Sequence, residues 1–127
     1  MTAPISVVVA DDEADVRLLL RLQLESRGFV VAGEAKDGRT AIQVLDATGA
    51  DVVVMDLLMP GVSGIQAIAE LREQNPALKI VAYTAVAGDF VRNEMDRLGV
   101  PLVLKSGDVE GLATILRDLV HANNDRG

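Results

Sequence analysis

The chain has 127 residues, half of them hydrophobic, and 12 basic against 19 acidic residues give it a net charge of −7. This length suits one domain with a buried core, and the acidic balance argues against direct binding to nucleic acid or to an anionic membrane. The absence of cysteine excludes disulfides, cysteine nucleophiles and cysteine-based metal sites, and a single histidine, His121, argues against a catalytic triad.

Five short apolar runs rich in β-branched residues predict the strands of a buried parallel sheet. In chain order they are Ile5–Val9, Phe29–Ala32, Val52–Met55, Ile80–Tyr83 and Leu102–Leu104. No run approaches the roughly 18 residues of a membrane span. The first run also lacks a preceding basic segment and is cut short by Asp11 and Asp12, so we expect no signal peptide and a cytoplasmic location.

Segments with the apolar periodicity of helices separate and follow these runs. Their apolar positions are, in chain order, Val16, Leu19, Leu20 and Leu24; Ala41, Ile42 and Leu45; Ile65, Ile68 and Leu71; Val91, Met95 and Leu98; and Leu112, Ile115, Leu116, Leu119 and Val120. Gly28, Pro76 and Gly99 stand where three of the helices should end, and Ser63 and Asp108 are predicted N-caps.

A strand and a helix repeated five times predict an α/β fold, a doubly wound parallel sheet with helices on both faces. We expect the flavodoxin-like (βα)5 arrangement, with five strands in the order 2-1-3-4-5. Residues 1–122 are assigned to this one domain, and residues 123–127 are expected to form a flexible tail.

Polar residues follow four of the five predicted strands directly. Asp11 and Asp12 come after the first, Asp56 after the third, Thr84 ends the fourth and Lys105 follows the fifth. The carboxyl ends of parallel strands share one edge of the sheet, and ligands bind there where the strand order reverses. With the first and third strands as neighbours, the three aspartates should converge.

Three carboxylates in one small pocket repel one another unless protons or a cation neutralise them. A set of oxygen ligands without His or Cys favours a hard ion, and few protein ligands favour Mg²⁺ over Ca²⁺. A carboxylate beside Mg²⁺ can attack phosphorus, with Lys105 as a nearby cation and Thr84 as a hydroxyl donor.

These residues resemble the receiver domain of two-component response regulators over about residues 5–120. The motifs that carry the resemblance are the acidic pair in Val9–Glu13, the loop Asp56–Gly64 with its Met-Pro and Gly, the triplet Tyr83-Thr84-Ala85, and Lys105. The pair Lys105-Ser106 and the stretch Gly33–Gly38 are most similar to receivers of the LuxR type.

The resemblance implies a phosphoacceptor switch that uses Asp56, Thr84 and Lys105. Asp56 would take a phosphoryl group from a sensor histidine kinase or a phosphotransfer protein, and Thr84 and Lys105 would bind its oxygens. The domain would then change its binding to an output protein or to a second copy of itself. It would not be an enzyme, beyond catalysing its own phosphorylation and dephosphorylation.

The resemblance also implies a Mg²⁺ site around the same aspartate. Asp12, Asp56 and the backbone carbonyl of Leu58 would bind the ion directly, and Asp11 would bind it through water.

One departure from the family pattern leaves a second interpretation open. Three residues before the lysine the family usually carries Tyr or Phe, which changes rotamer on phosphorylation, but here the position is Leu102. The resemblance places the responsive surface on the fourth helix, fifth strand and fifth helix, where this aromatic is missing. The alternative is therefore a receiver-like interaction module that works without phosphorylation.

Two further classes fit the residues less well. Phosphatases of the haloacid dehalogenase type use an Asp-x-Asp pair, and Leu58 occupies the second position of that pair here. A flavodoxin-like flavin binder would need aromatic walls, whereas aromatics make up only 2% of the chain.

Overall fold

The computed structural model describes residues 3–59, 64–85, 87–105 and 109–122. Strands and helices alternate as β1 Ser6–Ala10, α1 Ala14–Glu25, β2 Val30–Ala35, α2 Gly38–Thr48, β3 Val52–Met55, α3 Gly64–Gln74, β4 Lys79–Thr84, α4 Asp89–Leu98, β5 Leu102–Leu104 and α5 Val109–Ala122. The sequence prediction stopped the second strand at Ala32. Pairing with β1 carries it through Gly33 and Glu34, whose composition alone does not favour a strand.

The five strands form one parallel sheet in the order β2-β1-β3-β4-β5, which confirms the predicted flavodoxin-like fold. Successive side chains of a strand point to opposite faces, so each central strand serves two cores. Val8 packs into the core formed with α2, α3 and α4, and its neighbours Val7 and Val9 pack into the core formed with α1 and α5. Apolar burial on both faces holds the strand ends, and the polar residues after them, in fixed positions.

Helix α1 departs from the predicted pattern. Leu20 and Leu24 are buried, but Leu19, assigned to the same apolar face, is more than half exposed, as are Leu18 and Leu22. At 100° per residue, Leu19 lies well off the narrow stripe that Leu20 and Leu24 bury. In spite of these exposed leucines, the described residues contain no helix that is long and apolar enough to cross a membrane.

The helix ends agree with the prediction where they are described. Gly28 and Gly99 have positive φ angles of 89° and 69°, a conformation that favours glycine. After Gly99 the amide of Val100 donates to the carbonyl of Met95 at 2.8 Å, which closes α4. The predicted caps Ser63 and Asp108 and the tail 123–127 lie outside the described residues.

Arg72 on α3 connects its helix to the end of α4 and to the loop between α3 and β4. Its Nε donates to the carbonyl of Leu98 at 3.0 Å, and its Nη1 donates to the carbonyls of Pro76 at 2.9 Å and Leu78 at 2.6 Å. Because substitution removes charged donors from several carbonyls, we expect Arg72→Met to lower the free energy of unfolding in urea by about 2–3 kcal/mol.

A matched control for Arg72 lies on α4. The exposed Arg97 forms an ion pair with Glu94 one turn away, and such surface pairs contribute little. Arg97→Met should leave the free energy of unfolding close to that of the wild type. Equal effects of the two substitutions would show that the carbonyl contacts of Arg72 do not stabilise the fold.

Candidate functional site

The three aspartates meet at the carboxyl edge of β1 and β3. Parallel pairing of Ala10 with Met55 places the residues that follow these strands side by side, and the amide of Asp56 donates to the carbonyl of Ala10 at 2.9 Å. One carboxylate oxygen from each of Asp11, Asp12 and Asp56 lies within 4.8 Å of the others. The structure thus brings Asp56, which follows β3, together with the pair that follows β1, as the sequence predicts.

Lys105 links two of these acids. Its Nζ donates to Oδ2 of Asp11 at 2.5 Å and to Oδ2 of Asp56 at 3.3 Å, and the side chain is only 19% exposed. Burial alone would lower the pKa of Lys105. Its hydrogen bond to Asp11 and the charges of Asp56 and Asp11 outweigh burial, so the pKa is raised and the side chain is cationic.

Asp56 is a buried carboxylate with both oxygens engaged. Oδ1 accepts a hydrogen bond from the amide of Leu58 at 3.2 Å, and Oδ2 faces Lys105. Burial raises the pKa of the Asp56 carboxyl, although the Leu58 amide and the charge of Lys105 act in the opposite direction. Desolvation therefore makes this carboxylate more basic than one in water.

The other two acids differ in their surroundings. Asp11 is buried, and its Oδ1 accepts from the amide of Glu13 at 2.9 Å, while Asp12 is exposed. Arg17 holds the Asp11 backbone, because its Nη1 donates to the Asp11 carbonyl at 2.6 Å and its Nε pairs with Glu34 at 3.2 Å. Asp11 is thus held in place from two sides, and Asp12 is the acid of the cluster that is exposed to solvent.

The donor set fits a hard divalent cation. Three carboxylates and the ammonium of Lys105 leave two negative charges at the site when all are ionised. The three acids offer only oxygen ligands, and one of them is exposed to solvent, as suits an ion that keeps part of its water shell. The chemistry of the residues therefore matches Mg²⁺.

The remaining predicted residues differ in how they relate to the acids. Thr84 is fully buried at the end of β4, and its carbonyl accepts from the amide of Lys105 at 2.8 Å. Leu58 directs its amide to Asp56, and the residue is 63% exposed. Leu102 packs against the core on the side of α4, and Ser106 lies outside the described residues.

Sequence reasoning did not find two of the contacts that shape the site. Arg17 lies on α1 and its partner Glu34 lies in β2, and only the pairing of β2 with β1 brings them together. Gly64 opens α3 so close to the backbone of Asp56 and Leu57 that a Cβ at this position would overlap it. No local pattern marks these contacts; a glycine opening a helix beside an acidic loop is the one signal that could have prompted a search.

Comparison with known proteins gives a consistent result. Residues 7–117 match the family model of the response regulator receiver domain. The chain is 38% identical to chemotaxis protein CheY of Thermotoga maritima over 80 residues, which cover 63% of this chain and 67% of that protein. It is 35% identical over 95 residues to a protein-glutamate methylesterase/protein-glutamine glutaminase of Treponema denticola, covering 74% of this chain and 26% of that larger protein.

Solved structures place the chain among similar proteins. A LuxR-family two-component response regulator from Aurantimonas superposes with a TM-score of 0.81 at 32% identity, covering 89% of this chain and 85% of that one. Response regulator protein TrrA from Thermotoga maritima, solved in complex with Mg²⁺-BeF, has a TM-score of 0.81 at 28% identity, covering 91% and 98%. The predicted likeness to receivers, including the LuxR type, is confirmed, and the chain belongs to the response regulator receiver domain family.

Proposed function

We propose that this receiver domain is the phosphoacceptor switch of a two-component system and that Asp56 is the residue phosphorylated. The observation that carries the proposal is the arrangement around Asp56. This buried carboxylate is bonded to the Lys105 ammonium and lies within 4.8 Å of Asp11 and Asp12. A nucleophile, a cation for the phosphoryl oxygens and a set of metal ligands are thus within reach of one another.

Transfer from a histidine kinase or phosphotransfer protein is a displacement at phosphorus. A carboxylate oxygen of Asp56 forms the new P–O bond while the P–N bond to the donor imidazole breaks, and its electron pair stays on the imidazole nitrogen. With acetyl phosphate as donor, a P–O bond breaks instead and acetate leaves. Because the pKa of Asp56 is raised, the attacking oxygen is more basic than that of a carboxylate in water.

The surrounding residues accommodate the added charge. Lys105 exchanges its contact with Asp56 for the phosphoryl oxygens, and the hydroxyl of Thr84 is proposed to donate to another of them. Asp11, Asp12, Asp56 and the Leu58 carbonyl would hold Mg²⁺, which when bound supplies positive charge beside the transferred group. The Mg²⁺-BeF complex of the related TrrA supports this assignment.

The same resemblance guides the proposals on partners and setting. The donor is a sensor histidine kinase or a phosphotransfer protein, and the recipient of the signal is an output protein or a second copy of the chain. We propose a cytoplasmic receiver spanning residues 1–122, followed by a tail, that binds neither nucleic acid nor a membrane itself. It undergoes its own phosphorylation and dephosphorylation and acts on no other substrate.

The test is incubation with acetyl phosphate and Mg²⁺ followed by intact mass measurement. We expect a gain of one phosphoryl group, and because three carboxylates otherwise repel the donor, EDTA should slow the gain at least roughly tenfold. No gain in mass would contradict the switch and favour the module that works without phosphorylation. NMR shifts confined to the pocket on adding beryllofluoride would favour that alternative as well.

A further inference from the structure

The ring of Tyr83 lies beside the ammonium group of Lys105. The Nζ of Lys105 lies 6.0 Å from the centroid of the Tyr83 ring, and the same ammonium is bonded to Asp11 and Asp56. The negative face of an aromatic ring attracts a cation at this range. Lys105 thus has an aromatic neighbour besides its acidic partners.

The strand register places this ring on a defined side of the sheet. Tyr83 pairs with Val103, and Ala82 pairs with Leu102. Because side chains alternate along a strand, Tyr83 projects from the face opposite to Leu102. Tyr83 packs against the core beside α1 and α5, whereas Leu102 packs against the core beside α4.

On that face, Tyr83 and Lys105 line the same surface groove. Its other walls include Leu19 and Gln23 of α1 and Val109 at the start of α5. Tyr83 is half-buried there, and burial raises the pKa of its phenol. A change in the position of Lys105 therefore changes both its distance from the Tyr83 ring and the lining of the groove.

We propose that Tyr83 is a positioning residue that holds the Lys105 ammonium beside the acids, and that it transmits the phosphorylation state of Asp56 to the groove between α1 and α5. The inference rests on the proposed function of Asp56. It adds a route on the face opposite to Leu102.

The coupling follows from the shared ammonium. Lys105 has three donors, and two acids already accept from it. Phosphorylation of Asp56 adds charged oxygens that attract the ammonium strongly. The present 6.0 Å separation from the ring is at the outer limit of a cation–π contact, so a small displacement of Nζ alters that contact.

The chain itself provides the spectroscopic probe. It contains one tyrosine and no tryptophan, so its tyrosine emission comes from Tyr83 alone. Adding acetyl phosphate with Mg²⁺ should change this emission with the time course of the phosphoryl adduct measured by mass. Asp56→Asn should abolish the change. An adduct that forms with unaltered emission would overturn the proposal.

Substitutions test the positioning role independently. Tyr83→Leu removes the ring and should slow adduct formation roughly two- to fivefold, whereas Tyr83→Phe keeps the ring and should restore the wild-type rate. Leu102→Ala, on the opposite face of the paired strand, should leave the rate near that of the wild type. A wild-type rate for a folded Tyr83→Leu, or equal slowing in Tyr83→Phe, would contradict the inference. No adduct in the wild type would refute the proposed function, and this inference with it.

Discussion

Replacing Asp56 by Asn is expected to abolish the phosphoryl adduct and, at the same time, to stabilise the fold. Asn has a neutral amide in place of the carboxylate that attacks phosphorus, so adduct formation should fall at least roughly a hundredfold. The substitution also removes a buried carboxylate. Burial raises the pKa of the Asp56 carboxyl more than the contacts with Leu58 and Lys105 lower it, so the charged form is disfavoured in the folded protein. We expect the free energy of unfolding at neutral pH to rise by about 1 kcal/mol.

The pH dependence of this gain has a definite sign. An acid whose pKa is higher in the folded than in the unfolded state binds its proton more tightly when folded. The wild type therefore gains stability as pH falls through the folded pKa of Asp56, whereas Asn does not titrate. In urea unfolding from pH 7 downward, the advantage of Asp56→Asn should shrink. An advantage that widens toward acid pH would show that the contact with Lys105, not burial, dominates.

A control for Asp56 lies on α2. Asp46 is exposed, so Asp46→Asn should keep the adduct and change stability by less than about 0.5 kcal/mol. An adduct of undiminished yield in Asp56→Asn would identify another acid of the chain as the phosphoacceptor. Peptide mapping of that adduct would then locate it.

The architecture could be predicted because its physical causes are local. Runs such as Val52–Met55 are apolar on both faces, as a central parallel strand requires, and a polar residue ends or directly follows each of the strands around the site. The carboxyl ends of parallel strands share one edge, so Asp56 could be placed near Asp11 and Asp12 before any distance was known.

The remaining features depend on distances between elements, which no local pattern encodes. Lys105 was expected near a phosphoryl group, but its shorter contact is with Asp11. Leu19 was assigned to the core because its spacing suits a helix face, and the orientation of α1 leaves it exposed. Tyr83 had no assigned role, since its proximity to Lys105 arises from the pairing of β4 with β5.

Gly64→Ala is expected to damage both the fold and the site, because α3 begins directly on the loop that carries Asp56. A Cβ at position 64 would lie 1.9 Å from the carbonyl oxygen of Asp56 and 2.6 Å from the Cα of Leu57. These are backbone atoms and cannot rotate away, so the helix and the loop must separate. We expect a loss of about 3 kcal/mol in the free energy of unfolding, near the upper end for overpacking.

The same displacement should slow phosphorylation of the folded variant by roughly ten- to a hundredfold, because a shift of about 1 Å misaligns the reacting groups. Gly111, the third residue of α5, is a matched control: a Cβ there meets no atom within 4 Å, so Gly111→Ala should stabilise the protein by up to about 0.5–1 kcal/mol, the difference between glycine and alanine in a helix. Urea unfolding and the acetyl phosphate reaction measure both effects. If Gly64→Ala matched Gly111→Ala in both, the start of α3 would not press on the Asp56 backbone, and the loop would owe its position to other contacts.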